Sequence, residues 1–188
     1  VLGGGVTGSA VAKLVEELGG SVKIADEKEV AGFVAHPIED LKNLDFDLAV
    51  VSPGWKPNHP LIMALHAAKI ELTNEIDIAW HFKSLHRPNQ KWVAITGTNG
   101  KTTTTLLTYH ILKKAGYHVG LGGKVGKRFA LQVAKENFDY YVLELSSFQL
   151  DGMYNFTADI AVLLNITPDH GDRDEYKCEN YTASKFRI

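Results

Sequence analysis

One stretch near the middle of the chain, Val93-Ala-Ile-Thr-Gly-Thr-Asn-Gly-Lys-Thr-Thr-Thr104, leaves little freedom in what can form around it. Its apolar start reads as the end of a buried strand. Gly97, Asn99 and Gly100 supply a tight turn, and Lys101 and Thr102 open a run with helical character to about residue 115. A strand feeding a glycine-rich turn that opens a helix is a phosphate cradle. The free N–H groups of the first helical turn point at an anion, and the helix dipole favours it. Lys101 adds a point charge for outer phosphates, and the Thr102 hydroxyl stands where a magnesium ion is bound. The usual P-loop pattern has four residues between its glycines, whereas Gly97 and Gly100 enclose two. The mechanism is the same with a shorter turn.

A second glycine turn opens the chain. Gly3, Gly5 and Gly8 are spaced as G-x-G-x-x-G, followed by a helix over about 9–18 and a strand over 21–25 that ends at Asp26. That is the dinucleotide fingerprint with its acid in place. The glycines permit close approach to a diphosphate, and Asp26 can accept from ribose hydroxyls. NAD is the obvious occupant, but the pattern asks only for a nucleotide diphosphate. Residues 46–51 form another apolar strand ending in Ser52-Pro53-Gly54, at the sheet edge where α/β ligands bind. A helix over 61–68, a short strand over 70–73 and a helix over 75–82 follow. A linker containing Pro88 then closes a first domain, 1–88.

In the second domain, 89–188, Leu106, Leu107, Ile111 and Leu112 mark the apolar face of the phosphate helix. Residues 120–126 are glycine-dense and read as a loop. The strand over 138–144 ends in Glu144, an acid at a strand tip beside a phosphate turn, which is a magnesium position. Ser146, Ser147 and Gln149 come next. A strand over 159–165 runs into Thr167-Pro168-Asp169-His170, a polar cluster at a carboxyl edge. The expected fold is therefore α/β: a Rossmann-like parallel-sheet domain, then a P-loop-type α/β ATPase domain. A formal net charge of −2 argues against a general nucleic-acid or membrane surface, so anion binding must be local. Cys178 is the only cysteine, which excludes a disulfide framework and fits a reducing cytosol. A cytoplasmic monomer is expected. Val1 is not a start methionine, and the helical spacing at 179–188 stops without a cap, so the chain reads as part of something longer and its second domain as truncated.

Thr96-Gly-Thr-Asn-Gly-Lys-Thr102, Glu144-Leu-Ser-Ser-Phe-Gln-Leu150 and Asn165-Ile-Thr-Pro-Asp-His170 together resemble the Mur ligases of peptidoglycan synthesis, over the whole chain. The short glycine spacing is that family's own form. The resemblance implies an ATP-dependent amide ligase acting through an acyl phosphate. The run from Glu144 to Leu150, with the N-terminal turn Gly3-Gly-Gly-Val-Thr-Gly8, implies UDP-N-acetylmuramoyl-L-alanine and D-glutamate as its substrates. It implies that Gly97, Thr98, Asn99, Gly100, Lys101, Thr102 and Thr103 hold ATP. It implies that Thr102 and Glu144 hold one Mg2+, and that His170 and a carbamylated Lys185 hold a second. Val6, Thr7, Asp26, Ser52, Pro53 and Gly54 would line the uridine diphosphate pocket, with Lys124, Ser146 and Gln149 towards the muramoyl end. Lys101, Glu144, His170 and Lys185 would carry the catalytic roles. Lys124 stands where the family usually has asparagine, and a lysine there cannot accept a hydrogen bond but can pair with a substrate anion. Gly171 and Asp174 also depart from the family pattern. The family's C-terminal domain is absent, so the chain alone is expected to ligate little. Two other functions fit the glycine turns: an NAD-dependent oxidoreductase built on residues 3–26, and a nucleotide-binding module without catalysis.

Overall fold

The computed structural model describes residues 1–26, 28, 30, 32–33, 35–36, 45–52, 55, 58–125, 129–167 and 178–188 (backbone only at 35–36 and 178–181). The chain divides into two compact units, Val1–Ala79 with Lys127–Lys135, and Trp80–Gly126 with Glu136–Ile188. Among the described residues no helix is long and apolar enough to cross a membrane.

The first unit begins with the glycine turn and helix α1 (Val6–Glu17). The helix starts earlier than its apolar spacing suggests, because Gly5 takes the N-cap position in extended conformation. Strands β1 (Ile24–Ala25) and β2 (Ala35–His36) pair in parallel, as do β3 (Leu48–Val50) and β4 (Glu71–Thr73). Leu2 bridges in parallel to both Ala25 and Val51, so the N-terminal segment joins the two pairs into one parallel succession. Helix α2 (Pro60–Ala67) is capped by His59 Nδ1, which accepts from Leu61 N at 3.2 Å, with Pro60 at the first turn. Helix α3 (Glu75–His86) starts in this unit, where Asn74 Oδ1 accepts from the N–H groups of Ile76 and Asp77. Leu2, Ala25, Ala49, Leu61, Ile62, Leu65 and Ile70 form one buried core. Helix α5 (Phe129–Lys135) packs on α1, and its Ala130 N–H donates to Glu75 Oε1 at 3.1 Å.

The second unit is a parallel four-stranded sheet in the order β6-β7-β5-β8. Its strands are β5 (Lys91–Thr96), β6 (Val119–Gly123), β7 (Tyr140–Glu144) and β8 (Ile160–Leu163). β5 is buried along its length beyond Lys91. At its start Asp159 accepts from Trp92 N at 2.8 Å and pairs with Lys83 and Lys91 at 3.3 and 3.1 Å. Helix α4 (Lys101–Lys114) lies on this sheet, and the short helix α6 (Ser147–Asp151) and helix α7 (Cys178–Lys185) pack on each other.

Two local expectations are corrected. The glycine-dense segment is a strand as far as Gly123, with turn only at 124–125, and residue 126 lies outside the described residues. A Cβ on Gly120 would come within 2.4 Å of the Tyr141 ring, so the missing side chain lets β6 lie against β7. In α4 the buried side is Thr105 with half-buried Tyr109 and Leu112, while Leu106, Leu107 and Ile111 are exposed. The phosphate turn fixes where α4 starts and thereby which face meets the sheet.

Candidate functional site

The turn after β5 is held from three directions. Below it, the buried Thr96 hydroxyl donates to Leu145 O at 2.7 Å. Beside it, the segment after β8 clamps it. Asn165 O accepts from Thr98 N at 3.0 Å, Asn165 Oδ1 accepts from Asn99 N at 2.9 Å, and Asn165 Nδ2 donates to Asn99 O at 3.0 Å. The Thr98 hydroxyl accepts from Thr167 N at 3.1 Å. Gly97 has φ +152°, and a Cβ there would lie 3.0 Å from Leu164 Cβ, so neither the conformation nor the space suits another residue. Gly100, at φ +83°, caps α4 without any side-chain hydrogen bond. The first i→i−4 bond runs from Thr104 N to Gly100 O, so among the described residues the N–H groups of Thr102 and Thr103 are left for an external acceptor.

Glu144 ends β7 beside β5, in register with Ile95. Its carboxylate is 1% exposed. The Thr102 hydroxyl donates to Oε2 at 2.9 Å, while Oε1 is buried with no hydrogen-bond partner among the described residues. A buried carboxylate oxygen left without a donor is costly unless a cation takes it. A hydroxyl and one carboxylate are the few protein ligands Mg2+ needs when nucleotide phosphates supply others. The donor set therefore fits magnesium. Among the described residues no group of three or more His, Cys, Asp and Glu is gathered for a metal. His170 lies outside the described residues, as do Pro53 and Gly54.

Two lysines meet under the turn. Lys101 Nζ donates to Gly97 O and Thr98 O, both at 2.8 Å. Lys185 Nζ, on α7, donates to the same Gly97 O at 2.9 Å. Lys185 is 1% exposed, and burial pushes its ammonium below the ordinary lysine value of 10.5.

The other sequence candidates separate by unit. In the second unit Ser146 and Gln149 form a capping box on α6: Gln149 N donates to Ser146 Oγ, and Ser146 N donates to Gln149 Oε1. Lys124 is exposed, and its N–H donates to Glu144 O at 2.9 Å. In the first unit the Asp26 carboxylate accepts from Gly4 N at 2.6 Å and Lys28 N at 3.0 Å, which closes the glycine turn. Ser52 stands against Gly3, where a Cβ would meet its Oγ at 3.0 Å. Val6 is exposed and Thr7 half-buried at the start of α1. In the sequence Asn165 stands only as the first residue of the Asn165–His170 run; its two-sided clamp on Asn99 depends on the pairing of β8 with β5.

A parallel sheet whose central strand feeds a phosphate turn, with a half-unpartnered acid at the neighbouring strand's tip, defines an ATPase-type α/β domain. The Mur ligase middle domain model matches residues 95–188. The chain belongs to the Mur ligases. It is 48% identical over 200 residues to a UDP-N-acetylmuramoylalanine–D-glutamate ligase of Cytophaga hutchinsonii, covering 100% of this chain and 44% of that protein. It is 54% identical over 145 residues to the ligase of the same name from Bacteroides fragilis, covering 77% of this chain and 32% of that one. The chain thus spans less than half the length of these relatives. Its fold matches the crystal structure of UDP-N-acetylmuramate:L-alanyl-γ-D-glutamyl-meso-diaminopimelate ligase from Neisseria meningitides. That match has a TM-score of 0.55 at 16% identity, over 99% of this chain and 65% of that one.

Proposed function

We propose that the protein carrying this chain is a cytoplasmic ATP-dependent ligase that joins D-glutamate to UDP-N-acetylmuramoyl-L-alanine. The observation that carries the phosphate half of this reading is the Thr102–Glu144 pair at the mouth of the Gly97–Gly100 turn, its second carboxylate oxygen without a hydrogen-bond partner among the described residues. The substrate half is supported by whole-chain likeness to relatives of that name.

In this reading the γ-phosphoryl group of ATP passes to the substrate carboxylate, and the D-glutamate amine then displaces phosphate to form the amide. The N–H groups opening α4 and the Lys101 ammonium bind the phosphates. Lys101 exchanges the turn's own carbonyls for phosphate oxygens. Thr102 and Glu144 would hold one Mg2+, which supplies charge neutralisation on the phosphate oxygens when bound. The lowered basicity of buried Lys185 favours the neutral amine that takes up carbon dioxide. The resulting carbamate, with His170, would hold a second ion. In the first domain, 1–88, Val6, Thr7, Asp26, Ser52, Pro53 and Gly54 face the uridine diphosphate. In the second, 89–188, Lys124, Ser146 and Gln149 face the muramoyl end. Protein contributes positioning and charge rather than covalent chemistry.

Calorimetric titration tests both halves. Mg·ADP should bind, and Lys101→Ala should weaken it at least ten-fold. UDP-N-acetylmuramoyl-L-alanine should bind and NAD should not. Binding of NAD alone would overturn the ligase assignment.

A further inference from the structure

We propose that Asp151 is a positioning residue: through Ser184 it fixes the last turn of α7, so that the Lys185 amine stays on Gly97 O beneath the phosphate turn. The role given to Lys185 rests on the nucleotide site proposed above, but the anchor itself does not.

A buried amine on a backbone carbonyl at 2.9 Å requires its helix to be held within a fraction of an ångström. Among the described residues, apolar packing does not hold this end of α7. In its last turn the buried side chains are Ser184 at 2% and Lys185 at 1%, both polar, while Ala183 is exposed and Phe186, just beyond, is 68% exposed. Two of the contacts that hold it converge on one residue. The Ser184 hydroxyl donates to Asp151 Oδ1, and Arg187 Nη1 donates to Asp151 O at 3.2 Å. A hydroxyl bonded to a carboxylate is among the stronger neutral-to-charged contacts.

Asp151 is itself tied to the site. It ends α6, whose first turn is locked by the Ser146–Gln149 capping box. Leu145, just before that box, donates its N–H to Ile95 O at 2.9 Å and accepts from Thr96 Oγ1 at 2.7 Å. The path from Glu144 through α6, Asp151 and Ser184 to Lys185 therefore returns to Gly97, the turn it left. A carboxylate at a helix C-terminus opposes the helix dipole, so α6 gains nothing by ending in Asp. The Ser184 contact gives it a use.

The test is trace acylation of lysines with isotope-labelled acetic anhydride on the folded protein, read peptide by peptide by mass spectrometry. Lys83, buried in the same unit and paired with Asp159, is the internal reference. Asp151→Ala and Ser184→Ala should each raise labelling of Lys185 relative to Lys83 by about ten-fold, the scale of losing one hydrogen bond to a charged group. Asp151→Asn keeps an oxygen for the Ser184 hydroxyl and leaves the Arg187 bond to the backbone intact, so it should stay within about two-fold of wild type. Unchanged Lys185 labelling in Ser184→Ala, an equal rise at Lys83, or Asn behaving like Ala would each overturn the proposal. No nucleotide is used, so a failure of nucleotide binding and a failure of the anchor are read separately.

Discussion

Replacing Glu144 by Gln should stabilise the nucleotide-free protein and weaken its binding of Mg·ADP, two effects of opposite sign from one side chain. Glu144 is 1% exposed, and only Oε2 has a hydrogen-bond donor among the described residues. Burying a carboxylate costs several kcal/mol before compensation, and one charge-assisted hydrogen bond returns about 1.5–3 kcal/mol. Gln removes the charge and keeps an oxygen for the Thr102 hydroxyl. It places an amide NH2 where Oε1 was, at a cost of about 1–3 kcal/mol if that group finds no acceptor. The balance favours Gln by about 1 kcal/mol, or ~2–4 °C in Tm for a chain of this size. With Mg2+ and ADP the order reverses. Ligand at 100 times Kd stabilises wild type by about 2.7 kcal/mol, and a variant that binds ten-fold more weakly gains about 1.4 kcal/mol less. Melting followed by tryptophan fluorescence, with and without Mg·ADP, reads both signs. Chelating the cation should make the two proteins bind ADP alike. A variant that melts below wild type without nucleotide and binds Mg·ADP equally well would refute the reasoning, and would make Glu144 a structural acceptor.

Burial pushes the Glu75 carboxyl up to about 7, against the Ala130 N–H bond that lowers it. The folded state therefore holds its proton more tightly than the unfolded chain, and stability falls as pH rises from about 4.5 to about 7. Glu75→Gln, which still accepts from Ala130 N, should flatten that slope in urea titrations at pH 5 and pH 8; an unchanged slope would count against the assignment. Gly8→Ala would put a Cβ 1.7 Å from Gly3 O. It should weaken UDP-N-acetylmuramoyl-L-alanine binding at least ten-fold while leaving Mg·ADP affinity within two-fold, and equal losses for both ligands would contradict separate sites.

Local chemistry made the two glycine turns legible. Gly97, Gly100, Lys101 and Thr102 act through backbone conformation and sequence adjacency, which a single stretch displays. Glu144 was legible because an acid ending an apolar run is anomalous in itself. Other features depend on pairings that no stretch contains. Apolar spacing marked Leu106, Leu107 and Ile111 as the buried side of α4, but the phosphate turn sets that helix's rotation and buries Thr105 instead. Glycine content suggested a loop at 120–126, because the ring of Tyr141, which fills the space over Gly120, belongs to a strand paired later in the chain.

The same distinction explains how the turn keeps its shape without nucleotide. A short glycine turn has large conformational entropy to lose and little apolar surface to bury. Here it is held by contacts from three segments distant in sequence: Leu145 after β7, Asn165 after β8, and Lys185 on α7. Leu145 holds the Thr96 hydroxyl, Asn165 holds both sides of Asn99 and Lys185 holds Gly97 O, and none of the three occupies the Thr102 and Thr103 N–H groups at the start of α4. The cost of ordering the turn is thus met by the sheet and by α7 before a ligand arrives. On the proposed reading, binding then has only to exchange Lys101's contacts with Gly97 O and Thr98 O for phosphate. On this argument Asn165→Ala, which frees both sides of Asn99 and removes no residue proposed to touch the ligand itself, should weaken Mg·ADP binding by about ten-fold, the worth of two neutral hydrogen bonds. Calorimetry should show the loss as a less favourable entropy with little change in enthalpy. A variant that binds as tightly as wild type would show that the turn is ordered by its own sequence and not by the clamp.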